Sequence, residues 1–245
     1  MAGALAESAT LTGAHSGAYL AESGSNPDVE LLYDINGLAK DAPGWFDHIM
    51  TFVGEYGLLL ATVLMVVWCW WGARRRPDAA ASVAALVWVP LAAGVAVLIN
   101  VPIRNFVERP RPFLDHDGLE VLIDGKTDYS FVSDHATLTM AMGVALFLAN
   151  RKWGFVGLVF GVLGGFLRIY MGVHYPTDVI GGFALGTAVA LLLSPVAMAL
   201  LTPVTKAIER SPRVGWLVRA RGAQGQGVVP GARVEPPAGQ RDLAA

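Results

Sequence analysis

The chain has 245 residues, of which 54% are hydrophobic and 16% charged, and its mean hydropathy of +0.49 excludes an ordinary soluble domain, where about 25% of residues are charged. The formal net charge of -2 conceals an uneven distribution and by itself selects no partner. The single cysteine, Cys69, lies in an apolar run and excludes an internal disulfide or a cysteine-rich metal site.

Residues 1–27 are rich in Ala, Gly and Ser and carry no Lys or Arg, which predicts a disordered tail rather than a secretory signal peptide. In residues 28–41, Val29, Leu31, Leu32, Ile35 and Leu38 recur among acids at roughly helical spacing, the pattern of an amphipathic helix on a membrane surface. Asp41-Ala42-Pro43-Gly44 ends it.

Five apolar spans follow, at about 49–71, 79–103, 135–150, 153–171 and 179–201, each judged against the roughly 20 residues needed to cross a bilayer. The expected fold is all-α: a polytopic membrane helical bundle with about five transmembrane helices plus an N-terminal interfacial helix. The third span is short, and residues 129–132 either extend it or leave its start, with His135, below the membrane surface. Glycines 154, 157, 161, 164 and 165, with 181, 182 and 186, predict close helix packing. A membrane-embedded unit is expected over residues 28–205, with its helical core at 46–201, followed by a basic and then disordered, Gly/Pro-rich cytoplasmic tail at 206–245.

If five spans alternate, Arg74, Arg75, Arg76, Arg151, Lys152 and the tail cations fall on one side, which the positive-inside rule makes cytoplasmic. The tail is read as an orientation signal and anionic-lipid contact, with no nucleic acid as partner. Three separate polar clusters then converge on the opposite, extracytoplasmic face. The first holds Arg104, Arg109 and Arg111, whose planar forks suit phosphate. The second, Ser133-Asp134-His135, opens the third span, where a capped helix N-terminus faces anions. The third is Leu167-Arg168 through Gly182, with Arg168, His174 and Asp178 at the junction of two spans, where ionisable groups are costly.

Arginines, a helix N-terminus, two histidines and a carboxylate suffice for phosphoryl transfer. One imidazole attacks phosphorus, the other protonates the leaving oxygen, and the carboxylate orients the attacking ring. Arginines and backbone N–H groups hold the equatorial oxygens. The sequence contains no HExxH, CxxC or Walker lysine loop, so the expected chemistry needs no metal and no cofactor. Asp115-His116-Asp117 is read as a solvated loop.

The arrangement resembles the type-2 phosphatidic acid phosphatases, which share a core with the vanadium haloperoxidases. Their Lys, six residues, Arg-Pro motif is met by Arg104 and Arg111-Pro112, with Arg in the Lys position. Their Pro-Ser-Asp-His variant is met by Val132-Ser133-Asp134-His135, and their Ser-Arg, five residues, His, three residues, Asp motif by Leu167-Arg168, His174 and Asp178. The resemblance implies His174 as nucleophile oriented by Asp178, His135 as general acid, and Arg104, Arg111, Ser133, Asp134 and Arg168 as phosphate ligands. Within the family, residues 31–57 look like the start of bacterial undecaprenyl-diphosphatases, implying a multi-pass plasma-membrane enzyme that converts undecaprenyl diphosphate to its monophosphate outside the cell. The partners so implied are the bilayer and a polyprenyl or glycerolipid phosphate, with phosphatidic acid, phosphatidylglycerol phosphate and a decaprenyl phosphoribose intermediate as the other substrates. A soluble haloperoxidase conflicts with five spans. A non-catalytic transport protein explains the spans but leaves two histidines, an aspartate and several arginines on one face without a purpose.

Overall fold

A computed structural model describes residues 26–220, which form helices and connecting loops without a strand among the described residues. The expected tail over residues 1–25 and the Gly/Pro-rich end over 221–245 lie outside the described residues. The helices are α1 (Pro27–Lys40), α2 (Gly44–Ala73), α3 (Ala79–Val107), α4 (Pro112–Asp115), α5 (Asp134–Ala149), α6 (Arg151–Tyr170), α7 (Pro176–Leu192) and α8 (Ser194–Glu209).

Among the described residues, three helices are long and apolar enough to cross a membrane: α2, α3 and α6. A fourth crossing is available from α7 and α8 together, bent by 50° at their break. The expected fifth span is therefore a broken pair, and Ser194-Pro195 follows the break directly, where proline cannot donate to the preceding turn. At 16 residues, about 24 Å by helical rise, α5 is shorter than a roughly 30 Å hydrocarbon core. Its position explains how it can be short. It packs against α3, α6 and α7, and Ala136, Ala141, Ala145 and Leu146 are buried, so it is an inner helix sheathed by protein on several sides.

Small residues make that sheath close. A Cβ at Gly143 would lie 2.8 Å from the Gly157 carbonyl, and one at Gly186 would lie 2.4 Å from the Thr137 carbonyl oxygen. Glycine at these points lets α6 and α7 lie directly on the α5 backbone.

Helix α1 is more than a surface helix. Leu32 and Asn36 are fully buried against the end of the bundle. The Asn36 amide donates to the carbonyls of Glu120 and Tyr170, both at 2.8 Å, and accepts from the Glu120 N–H at 2.8 Å. At the opposite end, the Arg74 guanidinium lies 4.1 Å over Trp70 and 4.4 Å over Trp71 and donates to the Trp216 carbonyl. The basic residues after α8 thus begin as a folded segment, closed by the Ala220 N–H donating to the Arg74 carbonyl.

Candidate active site

The α1 end of the bundle gathers the three polar clusters. Arg104 sits in the last turn of α3, which ends at Glu108 in the left-handed conformation and turns the chain into Arg109-Pro110-Arg111. Ser130 pins this turn, its N–H donating to the Arg109 carbonyl at 2.9 Å and its hydroxyl to that of Pro110 at 3.1 Å. Arg111 is almost fully buried. Its Nη1 donates to the Val173 carbonyl at 2.9 Å and lies 3.4 Å from His174 Nε2, while Nη2 donates to Asp128 Oδ1 at 2.7 Å.

Ser133 caps α5, its hydroxyl accepting from the Ala136 N–H at 3.5 Å, and it is fully buried in that role. Its own N–H donates to the Asp178 carbonyl at 3.1 Å, joining the second cluster to the third. Asp134 pairs with Arg104 and accepts from Asn100 Nδ2 at 2.7 Å. Arg104 also reaches Asp128 Oδ2 at 2.8 Å. His135, on the first turn of α5, directs Nε2 at Glu55 Oε2, 3.1 Å away.

The third cluster forms where α6 meets α7. Arg168 is 1% exposed and donates from Nη1 to Glu55 Oε1 at 3.0 Å and from Nη2 to the Gly54 carbonyl. Beyond α6, Gly172 has φ of 70°, and a Cβ there would meet the Glu120 carbonyl at 2.7 Å, so the turn that delivers His174 needs glycine. His174 Nδ1 lies 3.5 Å from Asp178 Oδ2, and Asp178, fully buried in the first turn of α7, accepts from the Tyr175 N–H at 2.9 Å and from Arg109 Nη1 at 2.8 Å. Nδ1 faces the carboxylate, and a proton held there leaves the Nε2 lone pair beside Arg111.

Charge follows this geometry. Burial, against the pull of Asp178 and with the help of Arg111, pushes the His174 imidazole down to about 4, so it is neutral at physiological pH. Burial opposes ionisation of Asp28 and Asp128, but arginine contacts outweigh it and hold both carboxyls below their usual value. Burial together with nearby carboxylates such as Asp115 pushes the Tyr175 hydroxyl up to about 12.

All eight residues expected at the site, Arg104, Arg111, Ser133, Asp134, His135, Arg168, His174 and Asp178, therefore lie at one end of the fold, linked through Asp128, Glu55 and Arg111. Four participants stand outside the set expected from sequence: Glu55, Lys126, Asp128 and Asp28. Glu55 occupies a π-helical turn, Val53–Gly57, inside α2 and binds Arg168 and His135, with Lys126 Nζ 3.7 Å away. Asp128 binds Arg104 and Arg111, and Asp28 of α1 binds Arg109 at 2.6 Å. Glu55 carried a readable signal, a lone acid within an apolar run. His116, from the acidic loop, stands edge-on to Tyr33 and Tyr175, and among the described residues no group of three His, Cys, Asp or Glu side chains gathers as a metal site.

Residues 85–200 match the PAP2 superfamily. The chain is 33% identical over 164 residues to undecaprenyl-diphosphatase BcrC of Bacillus subtilis, covering 66% of this chain and 80% of that protein. It is 32% identical over 184 residues to decaprenylphosphoryl-5-phosphoribose phosphatase of Mycobacterium tuberculosis, covering 72% and 94%. Its fold matches the crystal structure of a transmembrane PAP2-type phosphatidylglycerolphosphate phosphatase from Bacillus subtilis with a TM-score of 0.52 at 24% identity, over 74% of this chain and 90% of that one.

Proposed function

The chain belongs to the PAP2 superfamily of membrane phosphatases, and on that premise we propose that it hydrolyses the diphosphate of undecaprenyl diphosphate to the monophosphate at the extracytoplasmic face of a bacterial plasma membrane. The observation that carries this reading is the His174 ring, with Nδ1 toward the buried Asp178 carboxylate and Nε2 beside Arg111.

Nε2 of His174 attacks the terminal phosphorus, forming a P–N bond as the bridging P–O bond breaks. The lipid monophosphate departs with a proton given by His135. Asp178 supports the positive charge that develops on the attacking ring. Water then attacks the phosphohistidine, His135 takes a proton from it, and the P–N bond breaks to release inorganic phosphate. Arg104, Arg111 and Arg168, with the N–H groups opening α5 behind Ser133 and Asp134, hold the phosphoryl oxygens after exchanging their carboxylate partners for them. Arg for the usual Lys at position 104 keeps the charge and adds a second donor edge, which here bridges Asp128 and Asp134.

Charge favours this face. Arg74 and the folded segment through Ala220 lie at the end opposite the site, and their cations favour the cytoplasm. The released carrier lipid would then be produced on the outer leaflet.

A polyprenyl phosphate with a sugar phosphate at its far end is the second reading, supported by the 94% coverage of the mycobacterial relative. The test is phosphate release by purified protein in detergent with chelator present, comparing undecaprenyl diphosphate, decaprenylphosphoryl-phosphoribose, phosphatidylglycerol phosphate and phosphatidic acid. Turnover is expected to be fastest with the diphosphate and lost in His174→Ala and His135→Ala. Undiminished release by His174→Ala, or strict dependence on added magnesium, overturns the mechanism; a preference for another lipid overturns the substrate.

A further inference from the structure

Arg109 stands apart from the other arginines of the site. Arg104, Arg111 and Arg168 are tied to Asp128, Asp134 and Glu55, whereas Arg109 addresses Asp178, the carboxylate behind the proposed nucleophile. Its Nη1 donates to Asp178 Oδ1 at 2.8 Å and to Thr177 Oγ1 at 2.7 Å, its Nη2 donates to Asp28 Oδ2 at 2.6 Å, and its guanidinium plane lies 3.7 Å over the Tyr175 ring. Two edges and a face are thus engaged by protein.

The ring of contacts closes through α1. Asp28 Oδ1 accepts from the Thr177 N–H at 2.9 Å, and Oδ2 accepts from the Thr177 hydroxyl at 2.6 Å. Asp28 is itself fixed at the start of α1, where its N–H donates to the Asn26 cap, and α1 is anchored on the bundle by buried Leu32 and Asn36. Asp178 is fully buried and its Oδ2 serves Tyr175 and His174, so Oδ1, out of reach of solvent, needs a protein donor of its own. Arg109 supplies it, and Asp28 sets the angle from which it does so.

We propose that Arg109, locked by Asp28 of α1, is a positioning residue for the Asp178–His174 pair, so that docking of the N-terminal helix is part of assembling the reactive imidazole. This rests on the proposed roles of Asp178 and His174. Asp28 lies outside the three motifs, and Arg109 occupies one of the six unspecified positions of the first. Hydrogen-bond partners one step behind a metal-ligating side chain cost about 10- to 100-fold when lost, and the same order is expected for a partner one step behind an attacking imidazole.

The experiment is a double-mutant cycle on the purified full chain, with kcat and KM for undecaprenyl diphosphate measured for Asp28→Ala, Arg109→Gln, the pair together, and His174→Gln. Melting midpoints in detergent identify folded variants, and Arg109→Lys replaces Arg109→Gln if the latter does not fold. The expected result is a fall in kcat of about 10- to 100-fold for Arg109→Gln and about 3- to 10-fold for Asp28→Ala, with KM within about twofold of wild type. In the Arg109 variant, Asp28→Ala should cost nothing further. Independent, multiplying losses, unchanged kcat, or a raised KM with kcat retained overturn the proposal, the last making Arg109 a phosphate ligand. His174→Gln separates the two levels: full activity there removes the underlying reading, whereas inactivity with multiplying Asp28 and Arg109 losses removes only this inference.

Discussion

Glu55 Oε2 lies 3.1 Å from His135 Nε2, and the same carboxylate holds Arg168 through Oε1 at 3.0 Å. One side chain from α2 therefore occupies both a proposed proton donor and a proposed phosphate ligand. An incoming phosphoryl group offers Arg168 the charge that Glu55 now supplies. Removing one partner of a buried pair leaves the other uncompensated at a cost of about 3–5 kcal/mol, less where a hydrogen bond survives. Glu55→Gln is accordingly expected to lower the melting midpoint in anion-free buffer, and orthovanadate or orthophosphate is expected to raise it by more than in wild type. A shift no larger than that of wild type would show that the anion does not take the place of Glu55.

The low value of His174 sets a pH window. Above its ordinary 6.5 the ring is neutral whether folded or unfolded; between 6.5 and about 4 the unfolded chain binds a proton that the folded one refuses, so stability falls as pH falls through that interval. The difference corresponds to roughly 3 kcal/mol at the acid end. His174→Gln should lose less stability between pH 6.5 and 4 than wild type in detergent melting curves, and parallel curves would contradict the burial argument. In activity, the limb belonging to His174 in kcat/KM should lie near pH 4 and move lower in Asp178→Asn, because Asp178 favours the charged ring.

The three motifs were legible because each is local: Arg104 to Arg111, Ser133 to His135, and Arg168 to Asp178 are short runs whose residue types already state a chemistry. The partners of those runs were not. Asp28 meets Arg109 across 81 residues and Thr177 across 149, and Glu55 meets Arg168 across 113, pairings that only the docking of α1 and α2 on α6, α7 and the turn after α3 creates. The membrane helices were legible from apolar length, but α5 and the α7–α8 break show where length misleads. A helix buried by its neighbours is as apolar as one facing lipid, and a bend at a proline leaves overall hydropathy unchanged.

Asn100 ties α3 to the start of α5. Fully buried, its Nδ2 donates to the Val132 carbonyl at 2.9 Å and to Asp134 Oδ1 at 2.7 Å. Asn100→Leu keeps apolar volume but leaves that carbonyl without this donor, an expected loss of about 1–3 kcal/mol. Because Val132 and Asp134 flank the Ser133 cap, kcat is expected to fall along with the melting midpoint. Retained kcat in a destabilised variant would make the tie purely structural.

Gly186 and Gly94 separate packing from mere helix content. Both lie inside helices, where alanine is favoured over glycine by about 1 kcal/mol. A Cβ at Gly94 meets nothing within 4 Å, whereas at Gly186 it would lie 2.4 Å from the Thr137 carbonyl oxygen and 2.9 Å from the Ala141 N, both backbone atoms of α5. Gly94→Ala should therefore melt at or above the wild-type temperature. Gly186→Ala must push α7 from α5, with an expected loss of about 1–3 kcal/mol from overpacking. The same displacement separates the helix that carries Asp178 from the one that carries His135, so phosphate release should fall in Gly186→Ala and stay at the wild-type level in Gly94→Ala. Equal activity in the two variants would mean that the α5–α7 contact does not set the spacing of the site.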